Sequence, residues 1–451
     1  MSDFSIIEAT FTSSQVSGQV TEVDLRANVV EFTCYEHLQK PWMDARITFI
    51  DDMGLRDTLS VQGTERITMV FGSADDPALP MFTKFFFISK ITDSQKLNER
   101  ADIVALELVE DHVYVNSMKS ISRSYDTTIE ETIESICREE LGKTVVRHEF
   151  EGIAQGVRKV IVPYLSPLEA IAWLKDRATT RTGGPLFLHS TLFTNKLLMS
   201  DFDSLMRAEL VNEKFPLRYT EAVNSIDDVD EEKTTYYEIS EFRENNQDDL
   251  LGMYENGNVG SFYANIDAGT GITAGSHISV RDIVDEFYTN ELIDPKSAQT
   301  VYDPSLEIDG KLSDEYDALN IFQVTSSNMY NQFQSYHDEA ILIDDEDNII
   351  ESKLKVKNKI IRAILKKSVL DIGMDGALFG EAQVSAGMRV RVLFLSPNQN
   401  SDTQDLYAQL DKRRSGDYLI MAVNHKFSGQ DHLATLRLTK VAEIPRDISI
   451  T

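Results

Sequence analysis

Through its first ~112 residues the chain alternates apolar and polar side chains with a period of two and shows no helical period, which commits this stretch to half-buried strands. Val30, Phe32 and Cys34 fall on one face and Glu31, Thr33 and Tyr35 on the other. Ile67, Met69 and Phe71 alternate with Thr68 and Val70, and Val104, Leu106 and Leu108 with Ile103, Ala105 and Glu107. Phe85-Phe86-Phe87-Ile88 is continuous instead, which predicts a strand buried on both faces or pressed against a neighbour. About six short strands separated by turns read as a compact barrel or sandwich.

After Asp111 the texture changes. Thr128 and Glu131 make a capping box, Ile129, Ile133, Ile136 and Leu141 follow at helical spacing, and Gly142 stops the run. Ser166-Pro167-Leu168-Glu169 marks a second helix start, with a hydroxyl at the N-cap, proline at the first helical position and a carboxylate two residues on. That helix continues through Ile171, Leu174 and Ala178. Gly183-Gly184 then release the chain into a hairpin, Leu186 to His189 and Lys196 to Met199. Residues 113–225 thus read as an α/β module between all-β parts.

Strand patterns return in Tyr236 to Phe242 and Val259 to Ile266, around a short helical segment from Asp248 to Tyr254 that ends in Glu255-Asn256-Gly257. Residues 271–367 read as an acidic insertion, with a helix through Asp317 to Gln334 and an amphipathic helix from Lys353 to Leu370. Leu354, Ile361, Ile364 and Leu365 line one side of the latter. Lys357, Lys366 and Lys367 lie elsewhere, either solvated or meeting an acidic partner. Near the C-terminus Met388, Val390, Val392 and Phe394 alternate with Arg389 and Arg391, and Tyr418 to Phe427 pairs with Leu433 to Val441 around Ser428-Gly429-Gln430-Asp431. Phe87 to Ile91 leading to Ala105 to Leu108 resembles Leu419 to Val423 leading to Thr435 to Leu438. Two related barrels are therefore expected, one from residues 1–112 and a discontinuous one from 226–270 plus 368–451. The fold class expected is α+β, mostly β.

Composition narrows the function. A chain of 451 residues has room for two to four domains with their own cores. Its net charge of −30 opposes binding to duplex DNA. From Glu221 to Asp317 there are 24 acidic against 5 basic residues, which concentrates 19 of those 30 charges in a solvated surface or a mobile insertion. Cys34 and Cys137 stand in no metal or redox spacing and read as buried small hydrophobes. No run approaches the length of a membrane span, and Met1-Ser2-Asp3 does not open a signal peptide, so synthesis in a cytosol without export by that route is expected.

Catalytic motifs are near misses. Gly269-Thr270-Gly271 begins a dinucleotide fingerprint and lacks the rest. His148-Glu149 begins a zinc site whose second histidine is replaced by Gly152. Asp371, Asp375 and Gly376 echo a calcium loop, but Gly373 stands at one ligand position and Ala382 at the twelfth. Of the histidines, His37, His112, His148, His189, His277, His337, His425 and His432, one on a strand face such as His425 reads as structural. Asp344-Asp345-Glu346-Asp347 reads as solvated rather than metal-binding. No catalytic, cofactor-binding or metal site is expected, and no interface residues are assigned.

Val162-Pro163-Tyr164-Leu165-Ser166-Pro167-Leu168-Glu169-Ala170-Ile171-Ala172-Trp173-Leu174, the following hairpin and Ser204-Leu205 resemble a segment of the central baseplate hub proteins of contractile-tailed, T-even-type bacteriophages, related to the N-terminal part of the VgrG spikes of type VI secretion. Ala386 to Val390 and Asp417 to Leu438 resemble that family's closing strands. The resemblance covers about residues 1–270 and 355–445. It implies two tail-tube-like barrels per chain and a homotrimeric virion protein with no enzyme activity and no cofactor. It also implies a place in the tail baseplate between the sixfold tail tube and the threefold central spike, with tape-measure and wedge proteins as further partners and DNA as a transient passenger during genome ejection. The competing readings are a tail-associated cell-wall or capsule hydrolase using paired carboxylates, and a peripheral receptor-binding adaptor.

Overall fold

The computed structural model describes residues 4–13, 21–55, 65–73, 79–99, 101–154, 156–213, 216–219, 237–244, 250–267, 273–293, 306–325, 351–367, 369–376, 379, 382–396, 406–429 and 431–445. Seven strands open the chain: β1 (Phe4–Ser13), β2 (Thr21–Asp24), β3 (Val29–His37), β4 (Asp44–Asp51), β5 (Arg66–Ser73), β6 (Phe82–Lys96) and β7 (Asp102–Val109). A mixed module follows with α1 (Asp111–Ser117), β8 (Ser124–Thr127), α2 (Ile129–Glu140), β9 (Val145–Arg147), β10 (Arg158–Ile161), α3 (Pro167–Lys175), β11 (Leu186–Thr191), β12 (Thr194–Asp201) and α4 (Phe202–Arg207). Next come β13 (Leu217–Tyr219), β14 (Tyr237–Glu244), α5 (Leu250–Glu255), β15 (Gly260–Asp267), β16 (Thr273–Ser279), α6 (Val280–Thr289), β17 (Glu307–Ile308), β18 (Lys311–Leu312), β19 (Leu319–Thr325) and α7 (Glu351–Lys367). The chain ends with β20 (Val369–Asp375), β21 (Arg389–Phe394), α8 (Leu406–Gln409), β22 (Gly416–Ser428) and β23 (Asp431–Ala442). Among the described residues no helix is long and apolar enough to cross a membrane.

The protein is mostly β, and thirteen of its strands form one continuous sheet in the order β2-β1-β5-β6-β7-β4-β3-β22-β21-β13-β14-β20-β23. A further pairing of β22 with β23 closes the last six strands into a barrel. The first seven roll around their own core, rich in phenylalanine: Phe4, Phe11, Phe32, Phe71 and Phe86 are buried there. Among the described residues that roll is not closed by a pairing of β1 or β2 with β3. The free edge of β3 pairs instead with β22, so the two β-units share one sheet.

The two units repeat one plan. Numbering the principal strands of each in chain order (β1, β3, β4, β5, β6, β7 and β13, β14, β20, β21, β22, β23), the neighbours run second, third, sixth, fifth, fourth, first in both. The pairings from second to fourth are antiparallel throughout. Two β-bulges also coincide. One lies between Val29 and Glu31 in the first unit and between Ile239 and Glu241 in the second. The other lies between Ile88 and Lys90 and again between Ile420 and Ala422. Ile88 N–H donates to Glu65 O at 3.1 Å, and its counterpart Ile420 N–H donates to Met388 O at 2.9 Å. A bulge adds one unpaired residue and re-aims the strand, so two bulges at matched positions mean matched curvature as well as matched order.

The first bulge changes which residues face inward. Phe32 and Cys34 are buried as alternation predicts, but Val30 is turned out to solvent, because the bulge between Val29 and Glu31 shifts the parity by one. Glu36, on the inward parity, is fully buried. The continuous Phe85 to Ile88 run also resolves into alternation: Phe86 and Ile88 point into the core, Phe85 is exposed, and Phe87 meets Tyr114 of α1 edge-on.

Both capped helices form where their sequence signals lie. In α2 the Thr128 hydroxyl accepts from Glu131 N–H while the Glu131 carboxylate accepts from Thr128 N–H, and Ile129, Ile133, Ile136 and Cys137 are buried. At α3 the Glu169 carboxylate accepts from the Ser166 backbone and hydroxyl, but the orphan Leu168 N–H is satisfied by Asn116 Oδ1 at 2.7 Å, a cap supplied from the end of α1. The helices α2 and α3 share a core with β11 and β12, which form the expected hairpin.

The middle of the chain departs from the expectation. Tyr237–Glu244 belongs to the second β-unit, whereas Gly260–Asp267 does not: it centres a separate sheet, β16-β15-β19. The expected helix from Asp317 is a strand over Leu319–Thr325, because its β-branched residues pair in parallel with β15; positions 326–334 lie outside the described residues. The amphipathic helix is α7: its Leu354, Ile361, Ile364 and Leu365 are buried, the last three in a core shared with α6, β15 and β23. Lys357 is not solvated: its ammonium is bonded at 2.6 Å to Glu286 of α6.

Candidate functional site

The catalytic near misses are occupied by structural work. Asp371 holds Arg437 with two bonds, 2.9 and 3.2 Å. A Cβ on Gly376 would stand 1.8 Å from His432 Nδ1, so glycine is needed there for packing rather than for a calcium loop. His148 N–H is tied to Met199 O. Gly269 to Gly271 and Asp344 to Asp347 lie outside the described residues. Among the described residues no group of three or more histidines, cysteines or acids is placed to hold a metal. Cys34 and Cys137 are both buried, and burial pushes the Cys137 thiol up to about 12, which removes its nucleophilic form at neutral pH.

One cleft, of about 470 Å³, does bring acids together: Asp201 and Asp203 line it with Glu151, Arg181 and Arg207. Asp201 caps α4, accepting from Ser204 N–H at 2.8 Å and Ser204 Oγ at 2.9 Å, and also from Glu151 and Gly152 N–H. Asp203 accepts from Thr180 at 2.8 Å and Thr182 at 2.5 Å, and burial raises its carboxyl above the usual range against those bonds. Both carboxylates are bonded to donors of this chain, which fix the turn after α3 to the start of α4.

The more extensive polar construction lies where the two β-units and the β11–β12 hairpin meet. Glu36 of β3 accepts from Leu192 N–H, at the hairpin turn, and from Ala386 N–H at 3.2 Å, just before β21; His425 Nε2 of β22 stands 3.5 Å away. One carboxylate thus ties three parts of the chain. Beside it His425 Nδ1 lies 3.2 Å from His432 Nε2, and His432 stacks on Phe427 with ring centroids 4.2 Å apart. Burial, then the neighbouring His425, holds His432 well below the usual imidazole range. A buried ion pair, Lys84 with Glu110 at 3.1 Å, clamps the hairpin onto the first unit: Lys84 donates to Thr194 O at 2.7 Å, and Glu110 accepts from Met43 N–H and Ser190 Oγ. Burial alone would raise Glu110; Lys84 and then His112 outweigh it and hold the carboxyl low.

These contacts have a mechanical consequence. The two β-units are joined by six backbone residue pairs along β3 and β22, and the hairpin is bonded to both through buried charged groups. Loosening the joint would leave buried donors and charges without partners, so their mutual angle is fixed. Sequence reasoning missed this joint. Its one signal was parity: Glu36 follows Phe32 and Cys34 at spacing two, and Lys84 precedes Phe86 and Ile88 the same way.

No protein-family model and no curated protein sequence matches this chain. Solved structures do match its fold. The tail protein from Neisseria meningitidis MC58 superposes with a TM-score of 0.53 at 10% identity, over 97% of this chain and 97% of that one. The 43 kDa tail protein of prophage MuSo2 from Shewanella oneidensis gives 0.51 at 10% identity, over 96% and 98%. The chain therefore has the fold of phage tail proteins along almost its whole length.

Proposed function

We propose that this chain is the central hub of a contractile-tail baseplate, a structural virion protein that performs no bond chemistry. Three copies would join the sixfold tail tube to the threefold central spike and form part of the channel through which the genome leaves. The observation that carries this reading is the repeat of one strand order, with both bulges, inside one chain. A doubled barrel in a trimer presents six similar barrels toward a sixfold partner while the inserted parts keep true threefold symmetry toward the spike. A fixed angle between the barrels is what such an adaptor needs, and the Glu36 and Lys84 networks supply it.

Charge fits the same reading. Three chains carry a net −90, and acidic groups facing the channel would repel DNA from its wall, letting it slide. The tape-measure protein inside the tube and the wedges around it are the remaining expected neighbours.

The test is native mass spectrometry of the purified chain, alone and with its cognate trimeric spike protein. A trimer that captures one spike trimer is expected. A monomer that binds glycan, or one that turns over cell-wall sugar and loses turnover in Asp203→Asn, would contradict the proposal.

A further inference from the structure

The internal repeat assigns roles to two strand edges that no strand among the described residues covers. One edge of β22 is shared: Gly416 to Leu419 pairs with β21, and beyond the bulge Ala422 to Phe427 pairs with β3. Its counterpart β6 is built alike. Phe82 to Phe87 pairs with β5, and beyond the matching bulge Lys90 to Lys96 has β7 on one edge. Among the described residues no strand lies on the other. These residues are mostly exposed, as the outer half of a long hairpin arm.

The complementary edge is on β14, the counterpart of β3. In β3, Phe32 to His37 is the part taken by β22. The bulges align Phe32 with Phe242, each paired across to an isoleucine on the third strand of its unit, Ile47 and Ile372. Phe242, Arg243 and Glu244 are covered by β20 on one side, and among the described residues by no strand on the other; β13 reaches only Tyr237 and Glu238. An uncovered edge presents a row of N–H and C=O groups that template a further strand.

We infer that β6 of one copy pairs antiparallel with β14 of the next, with Lys96 opposite Phe242, Gln95 opposite Arg243 and Ser94 opposite Glu244, because a second bulge in β6, between Ile91 and Asp93, makes Lys96 the counterpart of Phe427. This repeats between chains the pairing that β22 and β3 make within one, Phe427 with Phe32 and onward. This register sets no like charges directly opposite one another. The contact is head-to-tail, so successive copies close into a ring or run on as a filament. That the ring closes at three rests on the function proposed above; the pairing itself does not.

Full-length Gln95→Cys and Arg243→Cys chains, both altered at exposed positions and with native cysteines buried, test this on mixing under mild oxidation. A two-chain disulfide product is expected from the mixture and from neither variant alone. Asp93→Cys with Arg243→Cys, diagonal in this register, should link at about a tenth of the rate or less, because diagonal sheet neighbours stand roughly 7–8 Å apart. In the doubly substituted chain the covalent ladder should stop at three. A ladder running past three supports the pairing and overturns the three-copy reading. A trimer that does not favour the Gln95–Arg243 link overturns the pairing and leaves the three-copy reading standing. Absence of both trimer and link at the highest soluble concentration overturns both. In the unmodified protein, amide exchange at Lys90 to Lys96 and Phe242 to Glu244 should slow at least about tenfold between dilute monomer and oligomer, as ladder hydrogen bonds require; unchanged exchange overturns the pairing whatever the variants do.

Discussion

The two β-units follow one strand order but differ in their first strand and in what fills them. In the first unit that strand is β1, ten residues long and antiparallel to β5; in the second it is β13, three residues long and parallel to both its neighbours. The first core is built on phenylalanine, including Phe427 contributed by β22 of the second unit. The second is mainly aliphatic, with Ile372, Val390, Val392, Ile420, Leu436 and Leu438. The difference teaches that curvature and order, set by bulges and pairing, survive a change of core chemistry, while the strand that completes a barrel is where the two copies diverge. The second unit completes itself with a minimal strand; the first gives the edge of β3 to its sister.

If the first unit depends on the joint and the second does not, perturbing the joint should affect them unequally. The largest effect is expected from Lys84→Met, which leaves Glu110 buried and uncompensated: a loss of about 3–5 kcal/mol in chemical denaturation, largely restored when Glu110→Leu is added. Equal loss in the single and double variants would show that the pair does not fix the hairpin. Phe427→Ala comes next, at about 3 kcal/mol or somewhat more. Because its ring sits among Phe32 and Phe71, amide exchange should rise in β1 to β7 more than in β20 and β21.

Acid should loosen the joint from the side of the second unit and the hairpin. His432 and His189 are held neutral by burial, His189 down to about 3, while in the unfolded chain each titrates near the ordinary imidazole value of about 6.5. The unfolded state therefore binds more protons below that value, and stability is present above it and lost as pH falls. Each histidine contributes a slope approaching about 1.4 kcal/mol per pH unit between roughly pH 6 and 5. His432→Phe, which keeps the stack on Phe427, should remove one histidine's share; an unchanged slope would show that His432 is not the group responsible. The smallest effect is a control outside both units: Asn116→Ala uncaps α3 at Leu168 and should cost about 1 kcal/mol without changing the pH slope.

What could be read from the sequence was local. The period-two runs at Ile67 to Phe71 and Val104 to Leu108, the capping box at Thr128 and the hairpin from Leu186 all form where their patterns lie, because each signal involves residues within one turn or one strand. The resemblance between the β6–β7 and β22–β23 hairpins was visible too, and the shared bulge places Ile88 opposite Leu108 as it places Ile420 opposite Leu438. What could not be read was non-local. β19 pairs in parallel with β15, more than fifty positions earlier, and a seven-residue run carries no mark of its partner. The bulge that turned Val30 outward is one residue of slippage, invisible until the neighbouring strand fixes it. The joint at Glu36 was legible only as a charged residue on a core-facing parity, a sign that names the residue but not the three segments it ties.

The central claim is that one chain folds a single barrel plan twice so that a threefold assembly can present six. Electron cryomicroscopy of the assembled ring, with no symmetry imposed beyond threefold, tests it most directly. The account predicts six β-units alternating between first and second type at close to 60° steps around the axis, with β6 of each chain against β14 of the next. Units of the two types lying at different radii, or three of them facing away from the axis, would contradict it.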